Sequence, residues 1–176
     1  KAARYSNLAI AKEFINAGAD INHIDRQDLT ALLRATYRGK LDMVQEFIKL
    51  GANVNYADHI TGQTALITAA DKGFVAIVEE LIKKGAHVNY ASNSGNTALL
   101  FAADNGNVSI VKKLIDAGAD INHVNSFCWN QSALSLAIRQ GHTDMVKILL
   151  SYPNIAINND IIDRKSTRLN SSHEWI

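Results

Sequence analysis

The chain has 176 residues, 47% of them hydrophobic, with 18 Lys and Arg against 17 Asp and Glu, enough apolar material for one sizeable core or one extended stack of small ones. That composition excludes disorder, collagen and coiled coil, and the longest unbroken apolar run, Ala98 to Ala103, is far short of the roughly 20 residues a membrane helix needs. A single cysteine, Cys128, excludes an internal disulfide and a metal cluster built on thiolates, and it favours a reducing, intracellular and by expectation cytoplasmic setting.

Read from its start, the chain opens at Lys1 directly into a helical pattern, without an initiator methionine or an apolar signal core, so it reads as a piece of a longer polypeptide. A partial unit, 1–24, ends in Gly18-Ala-Asp-Ile-Asn. Similar pentapeptides start at Gly51, Gly85 and Gly118, at spacings of 33, 34 and 33. A second series, Thr30-Ala-Leu, Thr64-Ala-Leu, Thr97-Ala-Leu and Ser132-Ala-Leu, keeps the same order, as does a third, the glycines Gly39, Gly73, Gly106 and Gly141. Three linked series at one period define internal repeats: 25–57, 58–91, 92–124 and 125–158, with 159–162 beginning a further loop. Ala2 to Asn22 aligns without gaps on Ala102 to Asn122.

Each unit predicts helix, tight turn, helix, loop. The hydroxyls of Thr30, Thr64, Thr97 and Ser132 suit the free amides of a helix start. Ala35, Ala69-Ala70, Ala102-Ala103 and Ala137 let neighbouring first helices approach closely. Leu41, Val44, Phe47 and Ile48 recur at helical spacing in the second helix, as do Val75, Val78, Leu81 and Ile82, then Val108, Val111, Leu114 and Ile115, which predicts a core-facing stripe. The glycine after each stripe suits a left-handed C-cap. Asn22, Asn55, Asn89 and Asn122 fall at one loop position, where a side-chain amide can tie the backbones of adjacent loops.

The run DRKSTRLNSSH, Asp163 to His173, back-translates into the sequence of a common short-read sequencing adapter. Residues 163–176 are therefore expected to be a non-native tail that takes no part in the fold. Setting them aside removes Arg164, Lys165 and Arg168 and the acids Asp163 and Glu174, so that 18 basic and 17 acidic residues fall to 15 of each. A neutral chain has little field to attract phosphate backbones or anionic lipid, and neither nucleic acid nor membrane is an expected partner.

The repeat resembles the ankyrin repeat over essentially all of Lys1 to Ile162. The family's TPLH tetrapeptide stands here as TALL at Thr30, TALI at Thr64, TALL at Thr97 and SALS at Ser132, without its proline and histidine. The fifth unit departs further: its loop, Asn125 to Gln131, is about two residues longer, and Tyr152-Pro153-Asn154 replaces the Gly-Ala pair. The resemblance implies an all-α fold, an α-solenoid of stacked helix-turn-helix units joined by β-turn or hairpin-like loops.

Catalytic chemistry finds little footing. His23 and His123 occupy one repeat position three units apart, so helices packed about 8 to 10 Å apart per layer hold them about 30 Å from each other, too far to share a metal. His87 and His142 read as solvated or structural. Ser94-Gly95-Asn96 is a turn in register with Thr61-Gly62-Gln63, and no phosphate loop, dinucleotide glycine pattern or nucleophile elbow occurs. Cys128 has no histidine or acid beside it in its loop to act as a base. No catalytic residue, cofactor or metal is expected. Phe127 and Trp129, on either side of Cys128, either fold back over the preceding repeat or project as interaction anchors.

Stacked repeats form an extended concave surface of loop tips and first helices, whose residues need not carry the stack. The resemblance implies that a protein or peptide partner binds there. The matching positions are Arg26, Gln27, Leu29, Tyr37 and Arg38 in the first full repeat, and His59, Thr61, Gln63, Asp71 and Lys72 in the next. They continue with Asn93, Ser94, Asn96, Asp104 and Asn105, then Phe127, Trp129, Asn130, Arg139 and Gln140. Nothing in the pattern encloses a small-molecule pocket. The expected function is a protein-interaction module. The alternative is the targeting or regulatory arm of a multidomain enzyme whose catalytic domain lies elsewhere in the polypeptide.

Overall fold

A computed structural model describes residues 8–125, 127 and 130–157; the tail 163–176 and the loop residues Cys128 and Trp129 lie outside the described residues. The described part is all-α, with nine helices in two alternating types. Helix α1 (Leu8–Asn16) is followed by four pairs: α2 (Ala31–Tyr37) with α3 (Leu41–Lys49), α4 (Ala65–Asp71) with α5 (Val75–Lys83), α6 (Ala98–Asp104) with α7 (Val108–Asp116), and α8 (Ala133–Gln140) with α9 (Thr143–Leu150). The first helix of each pair packs beside the next: α2 against α4, α4 against α6 and α6 against α8. These are the inner helices. The outer helices form a second row, α3, α5, α7 and α9, and α1 belongs to that type. The result is the α-solenoid that the repeat period predicts.

The local reasons for each helix are those the sequence announces. The hydroxyls of Thr30, Thr64, Thr97 and Ser132 accept from the backbone amides of Leu33, Ile67, Leu100 and Ser135 at 3.3, 3.3, 3.4 and 3.3 Å, so each inner helix starts with one orphan donor satisfied. At Ser132 the cap is reciprocal, because Ser135 Oγ also accepts from the Ser132 amide. Inner helices are rich in small and apolar residues: all residues from Ala65 to Ala70 are buried, and Ala35, Ala69, Ala102 and Ala137 sit at zero exposure where neighbouring backbones approach. Outer helices bury a single stripe, Met43, Val44 and Phe47 in α3, repeated as Ile77, Val78 and Leu81 in α5 and Ile110, Val111 and Leu114 in α7. Their other face carries lysines and glutamates and stays wet. Gly51, Gly85 and Gly118 follow α3, α5 and α7 at φ 89°, 82° and 88°, the left-handed region that side chains resist.

Between repeats the chain makes a short hairpin whose stems pair as isolated antiparallel bridges, Ala57 with Thr64, Ala91 with Thr97 and Asn125 with Gln131. The four asparagines tie these layers on the opposite edge. Asn22 donates to the Gly51 carbonyl and accepts from the Asn53 amide, at 3.3 and 2.7 Å. Asn55 bridges Gly85 and His87 (3.2 and 2.8 Å), and Asn89 bridges Gly118 and Asp120 (2.9 and 2.7 Å). Asn122 completes the row on the Asn154 carbonyl and the Ala156 amide, both at 2.7 Å. The Tyr152-Pro153-Asn154 segment therefore still offers the ladder a carbonyl and an amide two residues apart, although Asn154 lacks the positive φ of the glycines it replaces, which explains how the fifth unit stays in the stack.

Candidate protein-docking face

The ends of the inner helices and the hairpin tips lie along one side of the stack, each position recurring one layer on. At the tips, one short polar residue per repeat organises the turn. The Asp58 carboxylate accepts from Thr61 N–H and Oγ1–H, both at 2.6 Å, and from Gln63 N–H at 2.9 Å. Asp25 does the same for the amides of Gln27 and Leu29 (2.8 and 3.3 Å) and pairs with the Arg34 guanidinium, which also donates to Gln27 Oε1 at 2.8 Å. In the later repeats the position is Ser92, whose hydroxyl meets Ser94 Oγ at 2.9 Å, and Asn125, which accepts from the Phe127 amide at 2.9 Å and donates to Asn96 Oδ1 at 2.5 Å. Asp25, Asp58, Ser92 and Asn125 are absent from the expected contact set. Their signal was in the sequence: short polar residues at spacings of 33, 34 and 33, five to seven residues before each capping hydroxyl.

A second line of contacts runs from tip to tip. Asn93 donates its amide N–H to the Thr61 carbonyl at 3.0 Å, and its side chain reaches the carbonyls of His59 and Ile60 at 3.2 and 3.3 Å. Gly62 lies so close beneath that an added Cβ would stand 2.6 Å from Asn93 N. His123 meets the Gly95 carbonyl at 3.0 Å. Between the first two tips, Asp28 sits at φ 61°, a costly conformation for a residue with a Cβ. Its carboxylate accepts from the His59 amide, faces His59 Nδ1 at 3.0 Å and accepts from Tyr56 Oη–H at 3.0 Å. The His59 side-chain contact lowers the Asp28 pKa below its ordinary value, helped by the His59 amide and Tyr56 and opposed by desolvation. Desolvation together with the Asp28 charge pushes the Tyr56 phenol up to about 12. The clasp is thus held in its carboxylate, phenol form.

The third line joins inner-helix ends on a diagonal, each residue meeting one 34 to 38 positions later. Lys72 Nζ lies 5.2 Å from the Tyr37 ring centroid, a cation–π contact. Asn105 donates to the Asp71 carbonyl at 2.9 Å. Asp104 takes Arg139 at 3.0 Å and Gln140 at 2.8 Å, while its carbonyl meets His142 Nε2 at 2.9 Å. The expectation that residues of this face do not carry the stack is corrected here. His59, Thr61, Asn93, Asn96, Tyr37, Asp71, Lys72, Asp104, Asn105, Arg139 and Gln140 each join neighbouring repeats, because adjacent layers are close enough for their polar tips to pair.

The remaining expected contacts divide differently. Gln27, Leu29, Gln63 and Ser94 are engaged within their own turn. Arg26, Arg38 and Asn130 are exposed, the last at φ 49°. Trp129 lies outside the described residues. Phe127, for which two readings stood open, is 78% exposed and rests one ring edge on Gly95: it projects. Ile60, 72% exposed at the second tip, is an apolar tip residue that the sequence reading passed over, and Tyr37 shows 59% of its surface. His23 and His87 are exposed. Among the described residues no group of three or more His, Cys, Asp and Glu side chains could hold a metal ion, and no helix is long and apolar enough to cross a membrane.

No curated protein matches this chain. The family model described as ankyrin repeats (3 copies) matches residues 1–92, 33–125 and 88–163, which together take in the stack and its junctions. Ankyrin repeats are a generic protein–protein interaction module and typically non-catalytic, and this chain belongs to the ankyrin-repeat family.

Proposed function

We propose that the chain is a non-catalytic interaction module that binds a protein or an extended peptide across its hairpin tips and inner-helix ends. The observation that carries the reading is the exposure of Tyr37, Ile60 and Phe127 on a face whose polar neighbours are already bonded to one another. Three large groups held out from pre-ordered tips and a helix end lose little entropy when a partner covers them. Arg26 and Arg38 supply charge at the first tip and inner-helix end. Spread over three layers, the anchors suit a surface or a strand better than a compact ligand.

The test compares partner capture by the wild-type chain with that by Tyr37→Ala, Ile60→Ala and Phe127→Ala, using the solvated outer-face variant Lys112→Ala as control. Each of the three should weaken retention of the same partner while leaving the circular dichroism spectrum intact, and Lys112→Ala should not. Equal retention by all four variants would place the partner elsewhere.

A further inference from the structure

Lysine and arginine are sorted to opposite sides of the stack. The outer helices carry Lys12, Lys49, Lys83, Lys112, Lys113 and Lys147 and no arginine. The four described arginines, Arg26, Arg34, Arg38 and Arg139, all belong to the hairpin tips and inner helices with their ends. An ammonium is strongly hydrated and suits a face that stays wet, whereas a guanidinium is weakly hydrated and presents a flat fork that matches a carboxylate.

Two of the four arginines are already matched. Arg34 is held by Asp25 and Gln27, and Arg139 by Asp104. Arg26 and Arg38 are exposed and pair with no acid of the described residues. The acids of the same face are engaged elsewhere: Asp58 on the turn amides of Thr61 and Gln63, Asp28 on His59 and Tyr56, and Asp71 on Lys72. The charge left open on this face is therefore positive, and it lies in the first full repeat. There Arg34 reaches Gln27, next to Arg26, at 2.8 Å, and Arg38 follows Arg34 by one helical turn, so the open guanidiniums stand at the two ends of one row. Tyr37 adjoins that row, and the Asp28–His59 contact sets it beside the tip that bears Ile60.

We propose that the partner is an acidic protein segment, whose Asp and Glu carboxylates pair with Arg26 and Arg38 while its apolar side chains cover Tyr37 and Ile60. This assignment rests on the hairpin-tip and inner-helix face being the docking surface. A solvent-exposed ion pair contributes little, but a fork–carboxylate pair covered by the partner's own apolar groups is shielded from water and gains strength. The matched ions of the later repeats leave that end of the face to contacts with Phe127, so the module reads charge at one end and shape at the other.

The experiment selects random peptides displayed on phage against the full chain and measures the best binder, as a labelled synthetic peptide, by fluorescence anisotropy. Selected sequences should be enriched in Asp and Glu beside Leu, Ile or an aromatic residue. Arg26→Gln and Arg38→Gln should each weaken the peptide about fivefold, the outer-face variant Lys112→Gln should not, and raising NaCl from about 50 to about 300 mM should weaken it about tenfold. Both arginine side chains lack contacts within the fold, so their variants should keep the wild-type circular dichroism spectrum. Binders that lack acids yet need Tyr37, Ile60 or Phe127 would overturn the acidic partner and leave the docking face standing. Binders indifferent to all three anchors, or no enrichment at all, would remove the face as well. A single-stranded oligonucleotide that bound more tightly than the peptide and needed the same arginines would also overturn the proposal, by showing a nucleic-acid surface instead.

Discussion

Thr36 offers a sharp test of how the stack balances burial against polarity. It lies in α2 at zero exposure, and its hydroxyl is a buried polar side-chain group with no hydrogen-bond partner. The same register position is Ala70, Ala103 and Ile138 in the later repeats, so apolar groups are accepted there. Thr36→Val keeps the branched shape and replaces only the hydroxyl, opening no cavity. An unpaired buried hydroxyl costs about 1–3 kcal/mol, and threonine and valine have similar helix propensities. The variant should therefore gain about 1–2 kcal/mol, which for a chain of this size raises Tm by about 4 °C. Thr68→Val is the matched control, because Thr68 is equally buried but donates to Gln63 Oε1 at 3.4 Å. It should be neutral or lose about 1 kcal/mol. Urea unfolding followed by circular dichroism measures both, with unchanged m-values showing that the unfolding unit has not changed. A Thr36→Val chain no more stable than wild type, or a Thr68→Val gain equal to it, would refute the reasoning.

Asn89→Ala removes one rung of the loop ladder, leaving the Gly118 carbonyl and the Asp120 amide to water. It should cost about 1–2 kcal/mol and speed hydrogen exchange at the Asp120 amide, and an unchanged rate there would show that the rung adds nothing. Gly62→Ala and Gly85→Ala separate conformation from contact, since both glycines have positive φ, 68° and 82°, but only at Gly62 would a Cβ collide with Asn93. Gly85→Ala should cost about 1–2 kcal/mol and Gly62→Ala clearly more, so equal losses in denaturant unfolding would argue against the close approach. Acid should weaken the first repeat. Desolvation raises the Asp25 pKa, but the Gln27 amide and Arg34 outweigh it and hold it below 3.8. A lowered folded-state pKa stabilises above the ordinary value and is lost as pH falls through the folded one. Asp25→Asn should therefore flatten the fall in Tm below about pH 4, and parallel wild-type and variant profiles would exclude Asp25 as a contributor.

Much of the fold was legible in the sequence because its causes are local and repeat. A hydroxyl caps the amide three residues on, an apolar stripe returns at helical spacing, and a glycine accepts positive φ wherever the helix ends. The asparagine ladder was legible for a related reason: a translational stack brings equivalent loops together, so a residue recurring at 33 or 34 positions is also a spatial neighbour of its next copy. Even the fifth unit, whose Pro153 breaks the pattern, is legible from its helices, and its Asn154 carbonyl takes the ladder position.

What the sequence left undecided depends on the offset between layers. Whether Tyr37 meets Asp71 or Lys72 is set by how far one inner helix slides along the next, and periodicity cannot supply that slide. The structure fixes it, and residues that look like free tips become cross-links while Ile60 and Phe127 stay exposed. The turn-holding roles of Asp25, Asp58, Ser92 and Asn125 were obscured because their chemistry changes from carboxylate to hydroxyl to amide along the stack. Phe14 has the repeat spacing of Phe47, which is 1% exposed, yet it is itself 58% exposed. Only the arrangement of helices around it shows that burial needs a neighbour as well as a pattern, and that at α1 the inner-helix neighbour is absent among the described residues.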